Sequence, residues 1–387
     1  MVTASSPFTP LDRAVLDRTS LQQLLDTLHK RGYQVIGPTV RDHAIIYDEL
    51  ASLDDLPVGV GDAQSGGSYR LTERKDEALF GYALGPHSWK KFLFPSSIRL
   101  WKAQRENGGF TIHEEASEAR PMAFFGVRPC ELQAILIQDK VLMDGPYVDA
   151  VYARRRQQSF IVAVNCHSPG GNCFCTSMGA SPRAGEGYDL ALTEILDDHG
   201  HEFVIEAGTD AGADMLRAIK HRAAKDSDLK RAEKSIARAA KAITKTLETK
   251  NLKELLYVNA EHIHWEDVAS RCMTCGNCTM VCPTCFCASV EDVTDLTGDS
   301  AERWRRWDTC FSMDYSYIYG GSVRASAKSR YRQWMMHKLA NWVDQFGTMG
   351  CVGCGRCITW CPVGIDITQE AAAIRQKGAT HQPRKRK

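Results

Sequence analysis

The sequence has little that would place the chain in a membrane, an export pathway or a nucleic-acid complex. No apolar run approaches the roughly 18 residues that a membrane-spanning helix needs. Residues 1–11 lack the basic stretch and apolar run of a signal peptide. The formal net charge is only +1, so bulk charge provides no attraction to nucleic acid or anionic lipid. We therefore expect a cytoplasmic protein that has no membrane span and does not bind nucleic acid.

The chain also lacks a fingerprint for a nucleotide cofactor. Residues 59–67 are rich in glycine, but they do not have the G-x-G-x-x-G spacing, and no clear helix follows them. We predict a flexible loop there instead of a phosphate-binding turn. Nothing else in the sequence provides a convincing site for a flavin or a nicotinamide.

Cysteine is the residue type that the chain has in excess. With 15 cysteines and no export signal, metal ligands are favoured over disulfides. The pattern Cys-x-x-Cys-x-x-Cys-x-x-x-Cys-Pro occurs twice, at 272–283 and 351–362. In such a pair of runs, three cysteines of each hold one [4Fe-4S] cluster and the fourth ligates the other cluster. Zinc would favour Cys-x-x-Cys units about 12 to 20 residues apart.

The exchange of the fourth ligand defines two cysteine sets, each predicted to hold one [4Fe-4S] cluster. The first cysteine set is Cys272, Cys275, Cys278 and Cys361. The second cysteine set is Cys351, Cys354, Cys357 and Cys282.

A third set lies in the first half of the chain. Residues 122–127 and 160–164 have the pattern of strands, and a helix over 130–143 between them completes a βαβ unit. Cys130 and Cys166 follow the carboxyl ends of these two strands, where α/β sheets bind ligands. The third cysteine set is Cys130, Cys166, Cys173 and Cys175. We predict a third [4Fe-4S] cluster there; a zinc site, unrelated buried cysteines and His167 as a substitute ligand are the alternatives.

Three cysteines remain after these assignments, namely Cys285, Cys287 and Cys310. Another cluster would need a fourth ligand that is not cysteine. Free cysteine is commonly buried, which favours a structural or tuning role for the three.

The predicted fold class is an N-terminal α+β or α/β domain with a partly parallel sheet, followed by a mostly α-helical dicluster ferredoxin domain. We place the domains at 1–250 and 251–375, followed by a basic, disordered tail at 376–387. The first helix is predicted to begin at Thr9 and Pro10 and to end at Gly32. The 68 residues between Cys282 and Cys351 contain a helical pattern over 325–346. Residues 210–250 are predicted to be helical and rich in charge, with a solvated face as the main interpretation and a partner surface as the alternative.

Three segments resemble one protein family. They are FGVRPCEL at 125–132, NCHSPGGNCFCTSM at 165–178 and CMTCGNCTMVCPTCFC at 272–287. The family has two branches. One is the iron–sulfur β subunit of soluble NAD(P)-linked [NiFe] hydrogenases of the sulfhydrogenase type, and the other is the iron–sulfur subunit of anaerobic sulfite reductase. The resemblance covers nearly the whole chain, but its motifs do not separate the two branches.

The resemblance implies an electron relay without a catalytic centre of its own. In the hydrogenase branch the partners would be an FAD-containing, NAD(P)H-binding reductase subunit, a small iron–sulfur subunit and the [NiFe] large subunit. In the alternative branch the electrons would reach a sirohaem sulfite reductase subunit. No Cys-x-x-Cys pair lies near opposite ends of this chain to hold nickel. FAD and nickel are therefore expected only in partner subunits.

Overall fold

The computed structural model describes residues 13–106, 108–114 and 120–376. Its strands, in chain order, are β1 (Arg13–Asp17), β2 (Gln34–Arg41), β3 (Ala44–Glu49), β4 (Val60–Ser65), β5 (Ser68–Glu73), β6 (Ser97–Glu106), β7 (Gly109–Glu114), β8 (Met122–Val127), β9 (Phe160–Val164), β10 (Leu190–Asp197), β11 (Gly200–Ala207), β12 (Arg222–Ala223), β13 (Ala288–Thr294), β14 (Ser300–Trp307), β15 (Tyr317–Ile318) and β16 (Gly321–Ser322). Its α-helices are α1 (Arg18–Lys30), α2 (Lys90–Leu93), α3 (Pro129–Leu142), α4 (Ala150–Gln157), α5 (Asp210–Arg217), α6 (Asp226–Ala242), α7 (Leu252–Val258), α8 (His264–Arg271), α9 (Asn277–Met280), α10 (Ala327–Met336), α11 (Trp342–Phe346), α12 (Arg356–Thr359) and α13 (Ile367–Gln376).

A mixed sheet organises the N-terminal region. Its strand order is β12-β1-β11-β10-β9-β8-β2-β3, and β10, β9, β8 and β2 run parallel to one another. Every residue of β8 and β9 is buried, as expected for parallel strands covered on both faces. The predicted βαβ unit is therefore confirmed: β8 and β9 are parallel neighbours, and α3 and α4 connect them.

Helices cover both faces of this sheet. Alternate residues of β1 enter different cores, because successive side chains of a strand point to opposite faces. Ala14 and Leu16 pack in the core that contains the leucines of α1, whereas Val15 packs with Ala232 of α6. The core that includes Leu132 of α3 and Tyr152 of α4 contains Phe124 and Ile161 of the sheet. As a result, α1 and α5 lie on one face, and α3, α4 and α6 lie on the other.

The predicted start of the first helix is wrong. Residues Arg13–Asp17 form a strand, and α1 begins at Arg18. The side chain of Asp17 caps α1 by accepting a hydrogen bond from the backbone N–H of Ser20 at 2.7 Å. Thr9 and Pro10 lie outside the described residues, as do residues 377–387 of the predicted tail, while Gln376 is the last residue of α13.

The chain after residue 251 combines helices with a β-hairpin. The helix predicted over 325–346 is found as α10, a π-helical segment at His337–Asn341, and α11. Strands β13 and β14, however, interrupt the helical character of the spacer between the cysteine runs. They extend a sheet of order β13-β14-β6-β7, in which Arg99 of β6 forms an ion pair with Glu302 of β14 at 2.7 Å.

The glycine-rich segment at 59–67 is ordered, contrary to its prediction as a flexible loop. Strands β4 and β5 form a hairpin around Gly66 and Gly67. Gly67 donates a backbone hydrogen bond of 3.0 Å to the carbonyl of Ile358, in the second cysteine run. Because this hairpin packs against the cysteine run, it connects the N-terminal region to the candidate site.

Among the described residues, none of the helices combines the length and the apolar character that crossing a membrane requires.

Candidate metal centre

The two cysteine runs have the same local structure. In each, a loop with two cysteines leads through a left-handed glycine into a single helical turn, α9 or α12, which carries the third cysteine. The glycines are Gly276 at φ +77° and Gly355 at φ +76°, a conformation that costs glycine little and other residues more. The thiols of one run can therefore converge on one side of its loop.

The cysteines of the first set line one cavity. Cys272, Cys275 and Cys278 come from the first run, and Cys361 comes from the second, as the predicted exchange requires. The aromatic side chains of Phe311, Tyr331 and Trp334 line it too. Burial raises the pKa of the Cys278 thiol, and the other three thiols of the set raise it further.

The cysteines of the second set are also brought together. Burial raises the pKa of the Cys357 thiol, with further increases from Cys351, Cys354 and Cys282. Burial likewise raises the pKa of Cys351 to about 12. Buried thiols of this kind do not ionise without a cation, so the donor sets fit iron ions, which stabilise thiolates.

The third set lines a separate cavity at the carboxyl ends of β8 and β9, which we call the third cavity because it belongs to the third set. The cavity-lining residues include Cys130 at the start of α3, Cys166 just after β9, and Cys173 and Cys175 on the following loop. Burial raises the pKa of Cys130 and of Cys166. The structure thus brings the four predicted cysteines to one place.

Two buried arginines make the third cavity suitable for an anionic group. Arg128 and Arg356 line it, and each side chain is only 3% exposed. Each has a buried Nη1 with no hydrogen-bond partner among the described residues. A [4Fe-4S] cluster with four thiolate ligands is anionic and accepts hydrogen bonds at sulfur, so these donors fit it.

His167 does not join the third set. Its Nε2 lies 2.9 Å from a carboxylate oxygen of Glu194, and its Nδ1 lies 3.1 Å from the hydroxyl of Ser168. Glu194 also accepts backbone hydrogen bonds from Leu79 at 2.6 Å and Phe80 at 3.0 Å. With both ring nitrogens engaged, His167 fixes the loop after Cys166 in place and is not available as the alternative ligand.

The second set lies between the other two. Cys357 of the second set lines the cavity of the first set, and Cys354 of the second set lines the cavity of the third set. The Cys173 thiol lies 3.9 Å from the carbonyl oxygen of Cys354. The three sets therefore form a row, in the order first, second, third.

The loop of the third set packs directly on the second cysteine run. The backbone N–H of Phe174 donates to the carbonyl of Gly353 at 2.8 Å. Gly353 has φ +67°, and a Cβ there would lie 2.6 Å from the Cα of Cys175. The close approach of the two sites thus depends on a residue without a side chain.

Gly353→Ala is therefore expected to destabilise the chain by roughly 2 to 5 kcal/mol, as the sum of left-handed strain and overpacking. Gly347 is the matched control, because it has φ +68° but a Cβ added there would meet no atom within 4 Å. Gly347→Ala should cost roughly 1 to 2 kcal/mol from strain alone. Thermal melts of the two variants measure the difference; equal midpoints would contradict the close packing described above.

One buried lysine was missed at the sequence level. Lys338 lies in the π-helical segment and is 4% exposed. Its Nζ donates to Cys282 Sγ at 3.1 Å and to the carbonyl of Gly350 at 2.8 Å, and it lies 3.5 Å from Cys285 Sγ. Burial alone would lower the pKa of Lys338, but the negative charge on Cys282 and Cys285 outweighs it and raises the pKa. Its position in a helical pattern indicated nothing about this contact.

The three remaining cysteines line neither cavity. Cys285 lies beside Cys282 and Lys338. A hydrogen bond between the thiols of Cys282 and Cys285 lowers the pKa of Cys282 and raises that of Cys285. A hydrogen bond from Cys310 lowers the pKa of Cys287 to about 6. Cys285 thus lies next to the second set, whereas Cys287 and Cys310 form a separate pair.

Comparison with known proteins identifies the region of the two cysteine runs. A family model described as a 4Fe-4S dicluster domain matches residues 271–365. The chain is 32% identical over 327 residues to sulfhydrogenase 2 subunit beta of Pyrococcus furiosus, a match that covers 82% of this chain and 92% of that protein. No solved structure matches the chain. On this identity over most of both sequences, the chain belongs to the family of iron–sulfur β subunits of sulfhydrogenases.

Proposed function

We propose that this chain is the electron-transfer subunit of a cytoplasmic NAD(P)-linked [NiFe] hydrogenase complex, with three [4Fe-4S] clusters held by the three cysteine sets. The observation that carries the proposal is the row of sites. Because Cys354 and Cys357 of the second set line the cavities on either side, electrons would pass from one end of the row to the other through the second cluster. The boundary between the α/β domain and the dicluster domain would lie near residue 251.

The resemblance to the hydrogenase branch implies the partners, and the lack of other cofactor patterns in this sequence is consistent with them. A flavoprotein subunit that binds FAD and NAD(P)H would exchange electrons with one end of the row. A small iron–sulfur subunit and a nickel-containing large subunit would accept them at the other end. The name of the Pyrococcus relative supports the hydrogenase branch of the family over the sulfite reductase branch.

The test is the composition of the native complex. Purified anaerobically with a tag on this chain, the complex should contain the flavoprotein, the small iron–sulfur subunit and the large subunit, identified by mass, together with nickel. A sirohaem subunit in place of the nickel subunit would contradict the proposal. A colourless chain that carries zinc would contradict redox function altogether.

Lys338 should raise the reduction potential of the second cluster, because an ammonium next to Cys282 stabilises the additional negative charge of the reduced state. Lys338→Met should lower that potential by roughly 60 to 130 mV, the equivalent of one charge-assisted hydrogen bond in a one-electron couple. EPR-monitored redox titration measures the shift. Lys220→Met, at an exposed position, is the control. A shift confined to the first or third cluster would contradict the assignment of Cys282 to the second.

A further inference from the structure

The surface beside the third site carries a groove with surplus positive charge. We call it the α6 groove; it is lined by Arg74, Asp76, Ala78, His167, Glu194, Ile195, Leu196, Asp197, His199, Arg231, Lys234, Ser235, Ala237, Arg238 and Lys241. It lies between the end of β10 and the helix α6. Because the net charge of the chain is only +1, this charge is a local feature.

The acidic residues of the groove are already paired. Asp76 forms an ion pair with Arg74 at 2.6 Å, and Asp197 forms one with Arg231 at 2.8 Å. Glu194 is buried. Its carboxylate accepts hydrogen bonds from two backbone N–H groups and lies within hydrogen-bond distance of ring nitrogens of His167 and His201. None of the three acids is therefore free to neutralise further cations.

Among the cations of α6 that line the groove, three have no ion pair in the part of the chain that the structure describes, namely Lys234, Arg238 and Lys241. All three are exposed. At about 100° and 1.5 Å per residue, they fall within about 60° of arc and span about 10 Å along the helix. They form one continuous basic stripe.

The lining of the groove is partly apolar. Ile195, Leu196 and Ala237 contribute to it, and Leu196 is 39% exposed. Protein–protein interfaces combine apolar and charged side chains in this way. This combination favours an acidic protein surface over a small anion as the occupant.

The groove leads to the third site. His167 lines the groove, and its neighbour Cys166 lines the third cavity. Lys241, at the C-terminal end of the basic stripe, also lines the groove, and Ile243, two residues later, lines the third cavity. A protein bound in the groove would therefore lie against the last cysteine set of the row.

We propose that the α6 groove is the docking site for an acidic face of a redox-active partner subunit, which exchanges electrons with the third cluster. This inference rests on the proposed electron-transfer function. It adds that electrons enter or leave the row of sites at the third site. Unpaired cations at such a site would steer the partner and make its association sensitive to salt.

The experiment uses the intact complex, purified anaerobically, and a zero-length carbodiimide, which joins a lysine amine to a carboxylate in direct contact. Mass spectrometry of the digest should find Lys234 or Lys241 linked to Asp or Glu of a flavin-containing or iron–sulfur subunit. Both lysines unlinked, or linked only within this chain, would overturn the docking site. A complex with no redox-active partner subunit would overturn the proposed function as well, so the two failures are distinguishable.

Charge reversal provides the second readout. The double variant Lys234→Glu/Arg238→Glu should weaken partner binding about tenfold or more at low salt, measured as dissociation of the complex. The matched control is Lys30→Glu/Lys220→Glu. Both lysines are exposed; Lys30 ends α1 and Lys220 follows α5, and both helices lie on the opposite face of the sheet. Equal loss in both variants, or none in either, would overturn the proposal. Iron content should be unchanged in both variants. If inorganic pyrophosphate binds the groove but charge reversal has no effect on partner binding, the groove is a small-anion site and the docking proposal is wrong.

Discussion

Cys173→Ala is expected to reduce the iron content from about 12 to about 8 atoms per chain, because it removes one ligand of the third [4Fe-4S] cluster. Cys173 is half-buried and lines the third cavity with Cys130, Cys166 and Cys175. None of these belongs to the dicluster domain that matches residues 271–365. The EPR signals of the first and second clusters should therefore persist in the variant.

Cys173→Ala could instead convert the third cluster to a three-iron form, which its EPR signal would identify. That result would equally support Cys173 as a ligand. The control is Cys310→Ala, which removes a buried cysteine that lines neither cavity. Cys310→Ala should retain about 12 iron atoms. Full iron content and unchanged EPR signals in Cys173→Ala would show that the third set holds no cluster.

Removal of all iron is expected to unfold the dicluster region while the mixed sheet stays folded. The core of the dicluster region includes cysteines as partly buried members, among them Cys272, Cys278 and Cys357. Without iron these thiols leave cavities in that core, and ligation energy no longer offsets the cost of ordering the loops. The main core of the sheet contains no cysteine and is built from residues such as Leu24, Phe125 and Val162.

Hydrogen exchange after oxidative chelation measures this difference segment by segment. Amides of α8, α10 and α13 should lose protection, whereas those of β8, β9 and β11 should keep it. Chelator without oxidant, which leaves the clusters in place, is the control. Protected amides in α10 of the fully iron-free protein would mean that its aromatic core, with Trp265 and Trp334, suffices for folding.

Sequence patterns were enough to predict which cysteines lie together and the centre of the sheet. Cysteine spacing predicts the exchange of Cys282 and Cys361 because ligation by clusters imposes fixed distances on the chain. The apolar runs of β8 and β9 are fully buried, and the short connection between them leaves few topologies, so the position of Cys130 beside Cys166 followed directly. These features follow from short motifs and apolar runs that can be read directly in the sequence.

The elements that the sequence did not predict depend on distant partners. Strand β1 is only five residues long and is fixed by pairing with β11, almost 200 residues later, which no local pattern contains. Strand β14 is rich in arginine and tryptophan and pairs with β6 across a similar separation. Lys338 was missed for a related reason: a lysine in a helix usually faces solvent, and its burial becomes apparent only when Cys282 and Gly350 are placed around it.

The row of three sites makes one consequence of the proposed relay directly measurable. On the proposed relay, we expect NAD(P)H to reduce the chain only when a flavoprotein accepts hydride and passes on single electrons, because iron–sulfur clusters take up one electron at a time.

The decisive measurement is therefore the visible absorbance of this chain, loaded with its clusters, when NADH or NADPH is added anaerobically with and without the flavoprotein subunit. We expect NAD(P)H to bleach the iron–sulfur absorbance only when the flavoprotein is present. Dithionite should reduce the clusters with or without the flavoprotein. A chain that is bleached by NAD(P)H alone, or that stays oxidised in the presence of the reduced flavoprotein, would contradict its role as the electron relay of the complex.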